Sequence, residues 1–156
     1  MARKTARKLL KDAKIDDYPV FLKDIAKGLT ELTIDGQELE DGISGLQASY
    51  KGKSFIRYNK KHSLKRNRFT VAHELGHLIL GHTANFGHVN FRSNNPEEVE
   101  ANQFAAELLV PLHFLKEAVY KYKTVSQLAR AFWVSKDAMN WRVLETKTYS
   151  FLESWD

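Results

Sequence analysis

Two imidazoles and a carboxylate lie within five residues of one another in His73-Glu74-Leu75-Gly76-His77. On an α-helix, positions i and i+4 project from the same face. His73 and His77 would therefore meet one zinc ion from one side, with Glu74 beside it to act on a bound water. Two histidines on an amphipathic helix can also be satisfied by ordinary neighbours. Here they fall in a strongly apolar stretch, where two unpaired imidazoles would be costly to bury. Gly76, in mid-helix, costs ~1 kcal/mol against alanine, so its presence calls for a compensating reason such as a close backbone approach.

A catalytic zinc takes three protein ligands and leaves one position for water. A third histidine in the H-E-x-x-H-x-x-G-x-x-H spacing is excluded, because Leu80 and Thr83 occupy the places of the glycine and the last histidine. The chain has no cysteine, which removes disulfides and every thiolate ligand. A carboxylate from another helix remains, and Glu97, Glu98, Glu100 and Glu107 are all candidates on spacing. Glu97 and Glu98 also fit a simpler role, as first-turn partners of a helix dipole.

These groups must be held by regular elements. Phe69, Ala72, Leu75, Gly76 and Ile79 make the i, i+3, i+4 stripe of a helix, with Ser63 or Asn67 as its cap and Gly81 as its stop. A second helix is punctuated by Asn95 at the cap, Pro96 in the first turn and Pro111 at the end. Between them, Thr83 to Asn95 reads as an irregular loop. Upstream, Ala6, Leu9, Leu10 and Ala13 form the buried stripe of a first helix, and Val20 to Lys27 reads as a short second one. Leu29–Ile34 and Ile43–Asn59 read as β-structure broken by turns at Gly42, Gly45 and Lys51-Gly52-Lys53.

The bulk properties suit one ordinary globular domain. The chain has 156 residues, 43% of them hydrophobic and 28% charged, and no apolar run approaches the ~18–20 residues that span a bilayer. The N-terminus is basic without the apolar core of a secretory signal, which points to a cytoplasmic protein. The net charge is +5, but six of the basic residues lie between Arg3 and Lys14. They read as the wet face of the first helix rather than as a nucleic-acid patch.

Two blocks, Arg68-Phe69-Thr70-Val71-Ala72-His73-Glu74-Leu75-Gly76-His77-Leu78-Ile79-Leu80 and Glu100-Ala101-Asn102-Gln103-Phe104-Ala105-Ala106-Glu107-Leu108-Leu109-Val110-Pro111, resemble the ImmA/IrrE family of metallopeptidases. Weaker similarity runs upstream through Pro19-Val20, Ile25-Ala26 and Ile43-Ser44-Gly45, and downstream to Val125–Ala129 and Val134–Met139. The resemblance implies an α+β fold: a mainly helical, minimal zincin domain with a small β-sheet over residues 1–122, and a C-terminal helical, helix-turn-helix-like segment over 123–156. It implies a gluzincin-like endopeptidase with one Zn2+ held by His73, His77 and Glu100, and with Glu74 as general base. Asn102 is assigned to orienting a ligand. His82 is assigned either to substrate binding or to the bare surface. The implied partner is a protein substrate, a helix-turn-helix repressor or antitoxin-like regulator in a bacterial or phage setting.

The last third has the rhythm of a helix-turn-helix from Thr124 to Arg142, with Ala129 in the first helix and Val134-Ser135 opening the second. Trp133 sits in the turn, where glycine would be easier because it tolerates positive φ. That departure favours a helical hairpin burying Leu128, Phe132 and Trp141 over sequence-specific DNA reading. A non-catalytic DNA- or protein-binding module that retains the zincin fold is the competing expectation.

Overall fold

The computed structural model describes residues 1–83, 86–87 and 89–156. Three of its strands come from the region where alternation and turns predict them. β1 (Leu32–Gln37) runs parallel to β3 (Lys53–Asn59), and β2 (Gly45–Tyr50) runs antiparallel to β3. β2 and β3 are joined by a two-residue turn, Lys51 and Gly52, both with positive φ (49° and 77°). That geometry matches the right-handed twist of the strands it connects. A two-residue strand, β4 (Phe86–Gly87), pairs with the start of β2, giving the order β1-β3-β2-β4. β4 lies within the stretch expected to be irregular. Residues 84, 85 and 88 of that stretch fall outside the described residues.

Gly45 is not a turn residue, contrary to expectation. It is the first residue of β2, and a Cβ placed there would lie 2.5 Å from Thr70 Cγ2 and 2.9 Å from the Arg57 carbonyl oxygen. Thr70 belongs to α3 (Leu64–Leu80), so this glycine lets the sheet press directly on the motif helix. Ser63 rather than Asn67 caps α3, accepting a hydrogen bond from the Arg66 amide. Gly81 ends the helix in the left-handed conformation, φ 75°, which costs glycine least.

Among the described residues, seven helices surround the sheet. α1 (Ala2–Asp12) and α2 (Leu22–Ala26) precede it, and α4 (Pro96–Leu109) packs along α3 and α1. α5 (Leu112–Lys121), α6 (Val125–Phe132) and α7 (Lys136–Glu145) follow, and a short 3-10 turn at Thr148–Phe151 leads to the tail. α1 buries Ala2, Ala6 and Leu10 and turns Lys4, Arg7, Lys8 and Lys11 outward, so much of its basic charge is a solvated face. Asn95 caps α4 by accepting from the Glu97 and Glu98 amides, with Pro96 in the first turn.

A buried ion network ties the C-terminal helices to this frame. The Arg142 guanidinium on α7 meets the Glu107 carboxylate on α4 at 2.5 Å, and each side chain is 1% exposed. Arg142 also donates to the Val110 carbonyl, and Arg7 on α1 donates to Glu107 at 3.0 Å. Leu128 and Phe132 are fully buried, while Trp141 is partly buried and stacks on Phe91. The α6–α7 turn puts Trp133 at φ 55°, a conformation uncommon for a bulky side chain. Arg68 on α3 holds it by donating to the Trp133 carbonyl oxygen at 3.0 Å. Among the described residues no helix is long and apolar enough to cross a membrane.

Candidate metal centre

The i, i+4 spacing on α3 brings the His73 and His77 rings to a centroid separation of 4.7 Å, with their Nε2 atoms 3.0 Å apart. The side chains are 2% and 1% exposed. From α4, the Glu98 carboxylate completes the group: one oxygen lies 3.2 Å from His73 Nε2 and the other 3.0 Å from His77 Nε2. His73, His77 and Glu98 are a set able to hold a metal ion.

The protonation pattern fits a cation. The Asn102 amide nitrogen donates to the Asn90 carbonyl at 3.0 Å, which turns its Oδ1 toward His73 Nδ1 at 2.9 Å. The His73 ring then donates from Nδ1, and its neutral tautomer with that proton has its lone pair on Nε2. Burial, reinforced by the neighbouring His73, lowers the His77 pKa to about 4, so the His77 ring is neutral near pH 7. Two imidazole nitrogens and a carboxylate thus converge within 3.0–3.2 Å. Adjacent ligands around a tetrahedral ion with bonds of ~2.0–2.1 Å lie about 3.3 Å apart, so little movement would close the set.

Glu98, not Glu100, is the carboxylate that α4 delivers. The reason is angular. Glu98 and Asn102 are four residues apart and share the face of α4 that looks onto α3, while Glu100 is rotated ~200° from Glu98 at ~100° per residue. Glu100 reaches instead to His82, its Oε2 3.0 Å from His82 Nε2, and its side chain is 45% exposed. Reading Glu98 as only a dipole partner misses this, because the same first-turn residue also stands beside the two histidines. Glu97 stays at the exposed first turn, where it accepts from the Thr83 hydroxyl. Glu107 is committed to Arg142 and Arg7.

His82 is no surface residue. Its side chain is 7% exposed, and its Nδ1 lies 3.0 Å from His77 Nδ1. Asn102 sits behind His73, its Oδ1 2.9 Å from His73 Nδ1. Glu74 is 3% exposed, and its Oε2 lacks a hydrogen-bond partner among the described residues. Burial, with the nearby Glu98 charge, pushes its pKa up to about 8.

Gly76 has the reason its position called for. A Cβ there would lie 3.0–3.2 Å from three atoms of Phe104 on α4. The glycine is what lets α4 approach closely enough for Glu98 to reach the histidines.

No curated protein matches the chain. A family model, the IrrE N-terminal-like domain Peptidase_M78, matches residues 36–144. That span runs from the end of β1 to α7 and contains every residue of the His73, His77, Glu98 group together with Glu74, Asn102, His82 and Glu100. The chain belongs to the Peptidase_M78 family.

Proposed function

We propose that the protein is a zinc-dependent endopeptidase that cuts a specific protein partner, a helix-turn-helix repressor or antitoxin-like regulator. The observation that carries the metal reading is the convergence of His73 Nε2, His77 Nε2 and the Glu98 carboxylate, three groups able to offer ligand atoms to one ion. Zinc held there would supply Lewis acidity, polarising a peptide carbonyl and bringing the pKa of water down towards ~7.

The chain's own residues divide the remaining work. His73, His77 and Glu98 bind the ion, and Asn102 fixes the His73 tautomer. Glu74 is held protonated by burial in the absence of a neighbouring positive charge, and a bound cation favours its ionised form. Ionised, it accepts the proton of the attacking water and passes it to the leaving amine. A cleft of about 770 Å³ between α3 and α7, lined by Phe69, Thr70, Asn90, Phe91 and Trp141 among others, offers room for substrate side chains. Asn90 links it to the site, since its carbonyl holds Asn102.

The test is Glu74→Gln. It should retain zinc, measured by metal analysis after gel filtration, and should lose most turnover on partners trapped by the same variant. Cleavage of a trapped partner at the wild-type rate would refute the assigned role of Glu74. A trapped partner that wild type never cuts, together with a salt-sensitive shift of duplex DNA, would support a non-catalytic regulatory module instead.

A further inference from the structure

Glu100, His82 and His77 form a chain that the metal ligands alone do not account for. Glu100 Oε2 lies 3.0 Å from His82 Nε2, and His82 Nδ1 lies 3.0 Å from His77 Nδ1. A carboxylate only accepts hydrogen bonds, so His82 must donate from Nε2 to Glu100. In its neutral form His82 then has a lone pair on Nδ1. The only proton that fits the 3.0 Å contact is on His77 Nδ1, and it leaves His77 Nε2 bare toward Glu98 and His73. Each link determines the direction of the next.

The two ligand histidines are therefore backed in different ways. His73 leans on a neutral amide, Asn102, fixed to the backbone at Asn90. His77 leans on a second imidazole that is itself backed by a carboxylate. His82 is placed for this by the end of α3: Gly81, in the left-handed conformation, folds the chain back, and the His82 amide donates to the His77 carbonyl at 2.9 Å. The same turn that stops the helix thus returns a side chain to the ligand one turn earlier.

We propose that Glu100 and His82 are positioning residues for the metal centre, a two-step relay that fixes the tautomer and ring orientation of His77 and raises its basicity as a ligand. The inference rests on the metal reading above and deepens it. Partners behind a metal-bound histidine typically contribute ~10–100-fold in metal affinity.

The experiment is competition between the protein and a chromophoric chelator for Zn2+, paired with the visible spectrum of Co2+ in the same site. Apparent melting temperatures of the metal-free variants report any loss of folding. His82→Leu should weaken zinc by ~10–100-fold and shift the cobalt bands while the metal-free protein still melts cooperatively. His82→Asn presents an amide oxygen where Nδ1 stood, so it should restore most of the affinity. Glu100→Gln should weaken zinc in the wild-type background and have no effect in the His82→Asn background, where the link it serves is gone. Wild-type affinity and spectrum in His82→Leu would overturn the proposal. So would an equal loss from Glu100→Gln in both backgrounds, or a loss from Glu100→Gln exceeding that from Glu98→Gln, since Glu100 would then be acting directly. A wild-type protein that takes up neither metal overturns the metal reading itself, a result distinct from any of these.

Discussion

Gly76→Ala adds one methyl group at the closest approach of the two helices that build the site. The new Cβ would lie 3.0 Å from Phe104 Cδ1 and 3.2 Å from both Cβ and Cγ of the same residue. Rotating the ring would not relieve the contact with Phe104 Cβ, which moves only with the backbone of α4, and Phe104 is fully buried. In an exposed helix the substitution would gain ~1 kcal/mol. Overpacking a close-packed core costs about 1–3 kcal/mol, so the net expectation is a loss of up to about 2 kcal/mol. For a chain of this size each kcal/mol lowers the melting temperature by roughly 2–4 °C. The functional effect should exceed the stability effect. α4 also carries Glu98 and Asn102, and ligand geometry tolerates displacements of only ~0.5 Å. Zinc affinity by chelator competition and melting temperature by circular dichroism give the two readouts. Gly28→Ala is the control, because that position is exposed and a Cβ there meets only the Ile25 carbonyl oxygen at 3.7 Å. If Gly76→Ala matched or exceeded wild type in both stability and zinc affinity, the close approach of α3 and α4 would not be what delivers Glu98.

The remaining expectations concern the frame and the ion. Arg142→Met leaves Glu107 buried without its main partner, and breaking such a pair costs about 3–5 kcal/mol; urea unfolding should show it as a lower midpoint at an unchanged slope. Burial alone would raise the Glu107 pKa, but the hydrogen bond from Arg7 and the charge of Arg142 outweigh it and hold the group below its ordinary 4.5. The unfolded chain therefore takes up this proton first as pH falls, so the contribution to stability is complete above pH 4.5 and is lost below it. Glu107→Gln should flatten that acid limb in a pH series of melts. Metal removal should destabilise the protein: free zinc at 1,000 times its dissociation constant adds ~4 kcal/mol, which a chelator should abolish as a fall in melting temperature of roughly 8–16 °C.

The helical frame of the site was legible because its signals are local. Ser63, Gly81, Asn95 and Pro96 each act on backbone groups within a turn of themselves, and each does in the structure what its residue type favours. Gly76 was legible as an anomaly, though its partner Phe104 was not, since nothing in the chain states which helix lies opposite. Gly45 misled for the same reason. Its signal is the absence of a side chain, which a turn and a close packing contact share, and only the position of Thr70 separates the two. Arg142 and Glu107 lie 35 residues apart, and neither has a local mark that distinguishes a buried ion pair from two surface charges.

The place of Glu98 beside the histidines was recoverable from the sequence by a stricter use of helical geometry. If Asn102 orients a ligand histidine, it faces α3, and the carboxylate that joins it must lie three or four residues away on the same face. Glu98 satisfies that and Glu100 does not, whichever block carries the resemblance. A role at the dipole does not compete with a place beside the histidines, because the first turn of α4 is where the helix end meets the motif helix. The same angular argument gives Glu100 its own place: rotated off the facing side, it reaches His82, the residue that follows Gly81. Two carboxylates two residues apart thus serve the histidines from two directions, Glu98 at the Nε2 atoms and Glu100 through His82 at Nδ1 of His77.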